Sequence, residues 1–428
     1  MLHNPINFKL ILSLSMLRLA LDIIYSIYIV DLFGYSGFYG ESSILHYFLS
    51  WMIFLPSIFI IDSFFKKEFR ISYMVLVIIY LVSFVPFTTM LAFNALTMKY
   101  YVFNILYWIF LFIYIINLKN IKIVNIRMSK KAMNSLFIWV IGFISLMLIL
   151  LISWQYTGFR FTFNLLDVYS IRGDVISRLP AVLQYMYSAS NAINPILLIY
   201  ALINKNYLLS IFIIIIQFLS FGINGSKSVF FMTLLTIAIY YFLKKNVLQI
   251  IVKLITTLSV FSILEFSFTS SSFLVDFIVR RVMFVPNLIN YYYFDFFTDN
   301  TPDYFRQSIF SIIGLKSPYG RIPNLIGEIY MNNKLTAANG GLASDAAQNF
   351  GYLGALVSPL ILAIFLKVLD DVSKNLDPRI TVVVAVYFSN VIISSTLTTA
   401  LLTHGLFLVL LILYFMPRND EVELPKYI

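Results

Sequence analysis

The chain has no cysteine among its 428 residues, which removes disulfides, thiolate metal sites and a cysteine nucleophile together. Histidine is nearly as scarce. His3, His46 and His404 stand far apart, without the paired spacing that a metal site needs, so neither a metal nor a cofactor is expected. Charge is the third shortage: only 12% of residues are charged, against about a quarter in ordinary globular domains. With 60% hydrophobic residues and a mean hydropathy of +0.88, a water-soluble enzyme and a disordered tail are excluded. The net charge is 30 − 20 = +10, but it forms no basic stripe, so no nucleic-acid partner is expected.

Apolar runs of helix length take the place of the missing charge. They lie near 8–30, 44–61, 71–93, 100–117, 134–153, 181–203, 207–222, 228–243, 247–267, 347–366, 380–396 and 400–416. At about 20 residues per crossing, they predict an all-α polytopic membrane protein of about 12 transmembrane helices, a single integral membrane domain over 1–428. The runs are continuous and do not alternate, which argues against a β-barrel. The first is long enough to span and has no small-residue cleavage site after it, so it reads as an uncleaved first helix.

Basic residues sort the connections into two sets. One set holds Lys66, Lys67 and Arg70, the cluster Lys119–Lys131, then Lys205, Lys244, Lys245, Lys367, Lys374 and Arg379, with Arg418 and Lys426 in the tail. The other begins with Asp31–Ser43, which has no basic residue. The positive-inside rule places the first set, and both termini, in the cytoplasm. The second set then faces outward and includes two stretches too long to be connectors, 154–180 and 268–346. Long loops of this kind are usually functional or disordered, and the aromatic content of 268–346 argues against disorder.

The cations in these outer stretches depart from the positive-inside trend. Arg160, Arg172 and Arg178 lie in the first, Arg280, Arg281 and Arg321 in the second, and a short turn, NGSKS (224–228), offers Lys227 beside glycine and serine. Guanidinium forks match phosphate oxygens, and a glycine-serine turn at a helix start suits an anion. Singly, each arginine is better explained by a solvated surface charge or a lipid-headgroup contact, and Lys227 as well by a plain hairpin turn; as a set in the outer loops, they point to a diphosphate or similar anion. Three residues are candidate proton acceptors. Glu328 follows Arg321 by two helical turns, which would put both on one face. Asp345 and Gln348 match a capping box, and His404 sits beside a glycine near the outer end of the last span. Glu328 is the preferred base because the other two have ordinary structural roles. Arg18 and Asp22, four apart in the first span, are expected to neutralise each other as a structural pair.

The layout resembles the Wzy-type polymerases of O-antigen and capsule repeat units. The resemblance rests on architecture across most of the chain and on NGSKS (224–228), GRIPNLIGEIY (320–330), SDAAQNFGYLGAL (344–356) and STLTTALLTHGL (395–406). It implies a GT-C-like scaffold in the bacterial inner membrane and a metal-independent glycosyltransferase acting on undecaprenyl-diphosphate-linked oligosaccharide. It further implies that the outer arginines serve the diphosphate, chiefly Arg172, Arg280, Arg281 and Arg321, with Arg160 and Arg178 behind them. It leaves open whether a chain-length regulator binds. Two departures stand out: Lys227 occupies a place where such proteins often have arginine, and Gln348–Asn349 stands where related ligases have histidine and asparagine.

Two rivals share the composition. A flippase for the same lipid would carry two related halves with midplane sites, and no half-repeat is visible. Another GT-C glycosyltransferase would use a carboxylate of the first outer loop, Asp31 or Glu41. The topology is directly testable. In Ser311→Cys, a membrane-impermeant maleimide should reach the thiol from the periplasmic side, and labelling from the cytoplasm alone overturns the orientation.

Overall fold

In a hydrocarbon solvent every backbone N–H and C=O needs an internal partner, which leaves the helix as the default for long apolar runs. The computed structural model describes residues 7–41, 43–66, 69–122, 131–161, 175, 178–243 and 247–418, and these form helices and turns with no strand among them. The protein is an all-helical polytopic membrane protein. Its long helices are α1 (Phe8–Ser36), α2 (Ile44–Phe65), α3 (Ile71–Ala92), α4 (Met98–Asn117), α5 (Ser135–Thr157), α6 (Ala181–Ile203) and α7 (Tyr207–Asn224). They are followed by α8 (Lys227–Phe242) and α9 (Val247–Thr269). The expected loop 268–346 is largely helical too, with α10 (Val275–Phe284), α11 (Val285–Asp299) and α12 (Ile322–Met331). The chain ends with α13 (Ala343–Val372), α14 (Pro378–Ile393), α15 (Leu397–Thr403) and α16 (Leu406–Phe415).

Helix α3 has no polar face, and its apolar window is buried throughout. A helix hydrophobic all round belongs inside a bundle, and α2, α13 and α14 pack around this one. Two of its neighbours' polar groups are spent on it. Asp370 of α13 accepts hydrogen bonds from the Ser72 N–H at 2.9 Å and the Ser72 hydroxyl at 2.7 Å, capping the start of α3. Near the other end, Arg18 of α1 donates to the Thr88 hydroxyl at 2.9 Å, to the Thr88 carbonyl at 2.8 Å and to the Ser50 hydroxyl at 2.9 Å. It also pairs with Asp22.

Two of the helices change winding just before a proline. Val85 and Val285 precede Pro86 and Pro286, and a proline supplies no N–H to the carbonyl one turn back. The preceding turns take up the mismatch as π-helix: the Val85 N–H reaches the Tyr80 carbonyl and the Val285 N–H reaches the Arg280 carbonyl. Such π segments often mark functional sites.

Nine described helices are long and apolar enough to cross a membrane, or ten if the bent pair α14–α15 counts as one span, against the twelve expected. The shortfall has two causes. Helix α8 has 16 residues, about 24 Å at 1.5 Å per residue, short of the roughly 30 Å hydrocarbon thickness. The last two expected spans, 380–396 and 400–416, are broken into three short helices: α14 and α15 meet at 120° across the Ser394–Thr396 turn, and Gly405, at φ +76°, separates α15 from α16.

Contacts between connections sort them onto two faces. Arg70 donates to Asn120 at 2.8 Å, Arg418 donates to the Val372 carbonyl at 2.6 Å, and Arg379 lies 5.4 Å from the Tyr240 ring. These basic loops therefore share one face. On the other, the Glu41 N–H donates to the Phe93 carbonyl, Gly37 abuts Tyr292, and Gly222 abuts the Arg160 carbonyl. Arg18→Ala would strand Asp22 without a partner in the core and should cost about 3–5 kcal/mol, read as a fall in the thermal unfolding midpoint. The double variant Arg18→Met/Asp22→Leu should recover most of it.

Candidate functional site: a two-part cavity at a helix corner

The corner between α7 and α8 is built by glycine. Gly225 ends α7 in the left-handed conformation at φ +62°, which a side chain would resist. Ser226 then takes the N-cap position of α8, and Lys227 is its first residue. Gly222 serves a different need: a Cβ there would lie 2.1 Å from the Arg160 carbonyl oxygen, so the end of α5 can cross α7 only over a bare backbone. Arg160 closes the same crossing by donating from Nε to the Gly222 carbonyl at 3.1 Å.

A cavity of about 770 Å³ opens at this corner, with Ser226, Lys227, Phe277, Arg281 and Asn390 in its lining. The rest of its wall is largely apolar, and Phe231, Leu234 and Val282 remain 44%, 45% and 44% exposed. Next to this cavity lies a compartment of about 300 Å³. The two share Ser226, Ser228, Met232, Asn390 and Ser394, so a greasy, cationic part adjoins an uncharged polar part along these residues. His404 lines the second.

The cations of the first part have distinct supports. The Lys227 ammonium sits 4.2 Å from the Phe277 ring centroid, a cation–π contact, and the side chain of the N-cap residue Ser226 caps no backbone N–H in the first turn of α8. Helix N-terminus and ammonium add as positive potential. The Nε of Arg281 lies 3.4 Å from Asp276 Oδ2. Its neighbour Arg280 turns away, pairing with Asp276 and covering the Phe33 ring at 4.3 Å.

The other expected site residues are dispersed. Arg178 and Arg321 are exposed and line neither cavity; Arg321 stands at the N-cap of α12. Arg172 lies outside the described residues. Glu328, the preferred base on sequence grounds, is 44% exposed and pairs with Lys334 at 2.9 Å, away from both cavities. The two-turn spacing from Arg321 does not bring Glu328 to the cations, because Arg321 is the cap of the helix and Glu328 answers a lysine beyond its end. Asp31 and Glu41 are likewise exposed and line neither cavity.

Asp345 is a cap, but of another helix. Helix α13 starts at Ala343 with Leu342 at the N-cap, so the expected box with Gln348 is not made. The Asp345 carboxylate instead accepts from the Leu397 N–H at 2.9 Å and from Asn349 Nδ2 at 2.7 Å. It holds the first turn of α15, at the break that follows α14. Gly341 packs against the same break, where a Cβ would lie 1.9 Å from the Ile392 carbonyl oxygen, and Thr398 donates to Ser308 at 2.9 Å. At the far end of α15, Tyr387 donates to the His404 carbonyl at 3.0 Å.

The sequence reading overlooked the polar residues of α6 and α14, among them Ser188, Asn191, Asn390 and Ser394. A run of uncharged polar residues inside otherwise apolar spans was the available signal. No carboxylate lines either cavity among the described residues, and no group of three metal-ligating side chains occurs among them. No family model, curated protein or solved structure matches this chain.

Asp345→Ala removes the acceptor of a buried N–H and should cost about 1–3 kcal/mol, seen as a lower unfolding midpoint. An unchanged midpoint would mean that the α15 break is held by its other contacts alone.

Proposed function

We propose that this protein is a membrane glycosyltransferase that joins polyprenyl-diphosphate-linked oligosaccharide repeat units, as Wzy-type polymerases do. The observation that carries the reading is that Lys227 and Arg281 line an apolar cavity with an exposed hydrophobic rim, beside an uncharged polar compartment that shares part of its lining. A polyprenyl-diphosphate-sugar has the same three parts in the same order: an apolar chain, an anion and a hydroxyl-rich ring. Undecaprenyl is the expected chain, the bacterial inner membrane the setting, and twelve crossings of a GT-C-like scaffold with both termini cytoplasmic the topology.

The transfer balances without a metal. An acceptor hydroxyl oxygen bonds to the anomeric carbon of the donor sugar while the bond from that carbon to the diphosphate oxygen breaks. The electron pair leaves with the diphosphate, whose growing charge Lys227, Arg281 and the start of α8 stabilise. The hydroxyl proton passes to His404, since a base must lie within hydrogen-bond reach of the group it deprotonates and Glu328 and Asp345 line neither cavity.

Deletion of the gene in its host should leave one capped repeat unit per lipid in place of a ladder, whereas loss of all repeats would favour a flippase. Lys227→Ala and Arg281→Ala should shorten or abolish the polymer at unchanged protein level. Arg281→Lys should restore part of it, because a point charge keeps attraction but loses the fork. His404→Gln should lose polymer, by about 10²–10⁴-fold for a general base, while Glu328→Gln stays near normal. The reverse pattern would return the base to Glu328.

A further inference from the structure

We infer that the 300 Å³ compartment is a subsite for the sugar bonded directly to the diphosphate, and that it selects an uncharged sugar. The inference rests on the reading above for the lipid diphosphate and adds the identity of its first ring. The shared wall decides the placement. A diphosphate at Lys227 and Arg281 has Ser226 and Ser228 beside it, and those two serines also line the second compartment. The next group along the ligand therefore passes into it.

Charge in the lining decides the class. Apart from two tyrosines and His404, every side chain lining the compartment is non-ionisable. A uronic acid would enter with no lysine or arginine to receive its carboxylate, and an amino sugar with no carboxylate to receive its ammonium. Burying either charge without a partner is costly, whereas a neutral ring meets groups that match its hydroxyls. Asn191, Asn224 and Asn390 supply amides that both donate and accept. The Asn191 carbonyl oxygen accepts from Ser220 at 2.6 Å and its amide also bonds the Tyr187 hydroxyl, which leaves one N–H donor for a ligand. The side chains of Ser188, Asn224 and Asn390 make no hydrogen bond among the described residues.

The test is equilibrium binding to the full-length protein in detergent, with three synthetic ligands on one prenyl chain: the bare prenyl diphosphate, its hexose conjugate and its hexuronate conjugate. The neutral hexose should bind about tenfold more tightly than bare prenyl diphosphate, and the hexuronate no more tightly than the bare lipid. Asn191→Ala and Asn224→Ala should each remove about three- to tenfold of the hexose gain, as expected for one or two hydrogen bonds, and leave the bare lipid unaffected. If all three ligands bind alike, or the hexuronate binds as well as the hexose, the subsite is wrong while the lipid-diphosphate reading stands. If bare prenyl diphosphate binds no more weakly to Lys227→Ala/Arg281→Ala than to the unaltered protein, that underlying reading fails instead. Lys227→Ala and Arg281→Ala weakening every ligand equally, with the asparagine variants weakening only the hexose, is the result that supports both.

Discussion

The hydrogen bond from the Leu397 N–H to Asp345 is the contact on which the candidate site depends. A helix broken within membrane depth exposes backbone donors that lipid cannot satisfy, so a break survives only where protein groups or a cavity replace the missing ladder. Here a carboxylate from the start of α13 supplies the acceptor, and Gly341 lets its loop lie against the carbonyls of the turn. The consequence is geometric. With α14 and α15 set at 120°, Asn390 and Ser394 at one end and His404 at the other line the same compartment. A straight helix would carry these residues past one another.

The opposite wall is made by a different economy. The α7–α8 corner has a left-handed Gly225, and its helix start is left open toward the cavity. Gly222 permits the α5 crossing that closes the corner from behind. Two glycines thus place one lysine, and the π-wound α10 brings Phe277 and Arg281 to meet it. Successive side chains on a helix already diverge by about 100°. Arg280 and Arg281 are neighbours in sequence, yet one covers Phe33 on α1 and the other lines the cavity.

The fold around this site is held by polar groups that do no chemistry. Arg18 joins α1, α2 and α3 through Ser50 and Thr88, and Asp370 caps α3 from α13. Both bond to α3, whose apolar window is fully buried among the described residues. In an apolar bundle, van der Waals packing alone leaves rotation and register loosely specified, and buried hydrogen bonds are one device that specifies them. Arg18 lies in the N-terminal half of α1. Its partners lie near the ends of α2 and α3 that reach the face with the large loops.

The sequence by itself determined the class of this protein, its helical character and the division of its connections. Hydropathy and charge are sums over many residues, so helix length and loop charge survive errors at any one position. It also marked NGSKS as a turn with a cation, because glycine, serine and lysine declare their conformations locally. Which cations meet was beyond it. Lys227 and Arg281 are far apart in the chain, the packing of α10 sets which arginine faces the cavity, and Glu328 finds a lysine past the end of its own helix. The cap at Asp345 looked local and proved to be long-range, since a carboxylate answers whichever orphan N–H the tertiary fold brings within 3 Å. Partner choice for a polar group is a matter of distance in space, and only the packing of helices sets that distance.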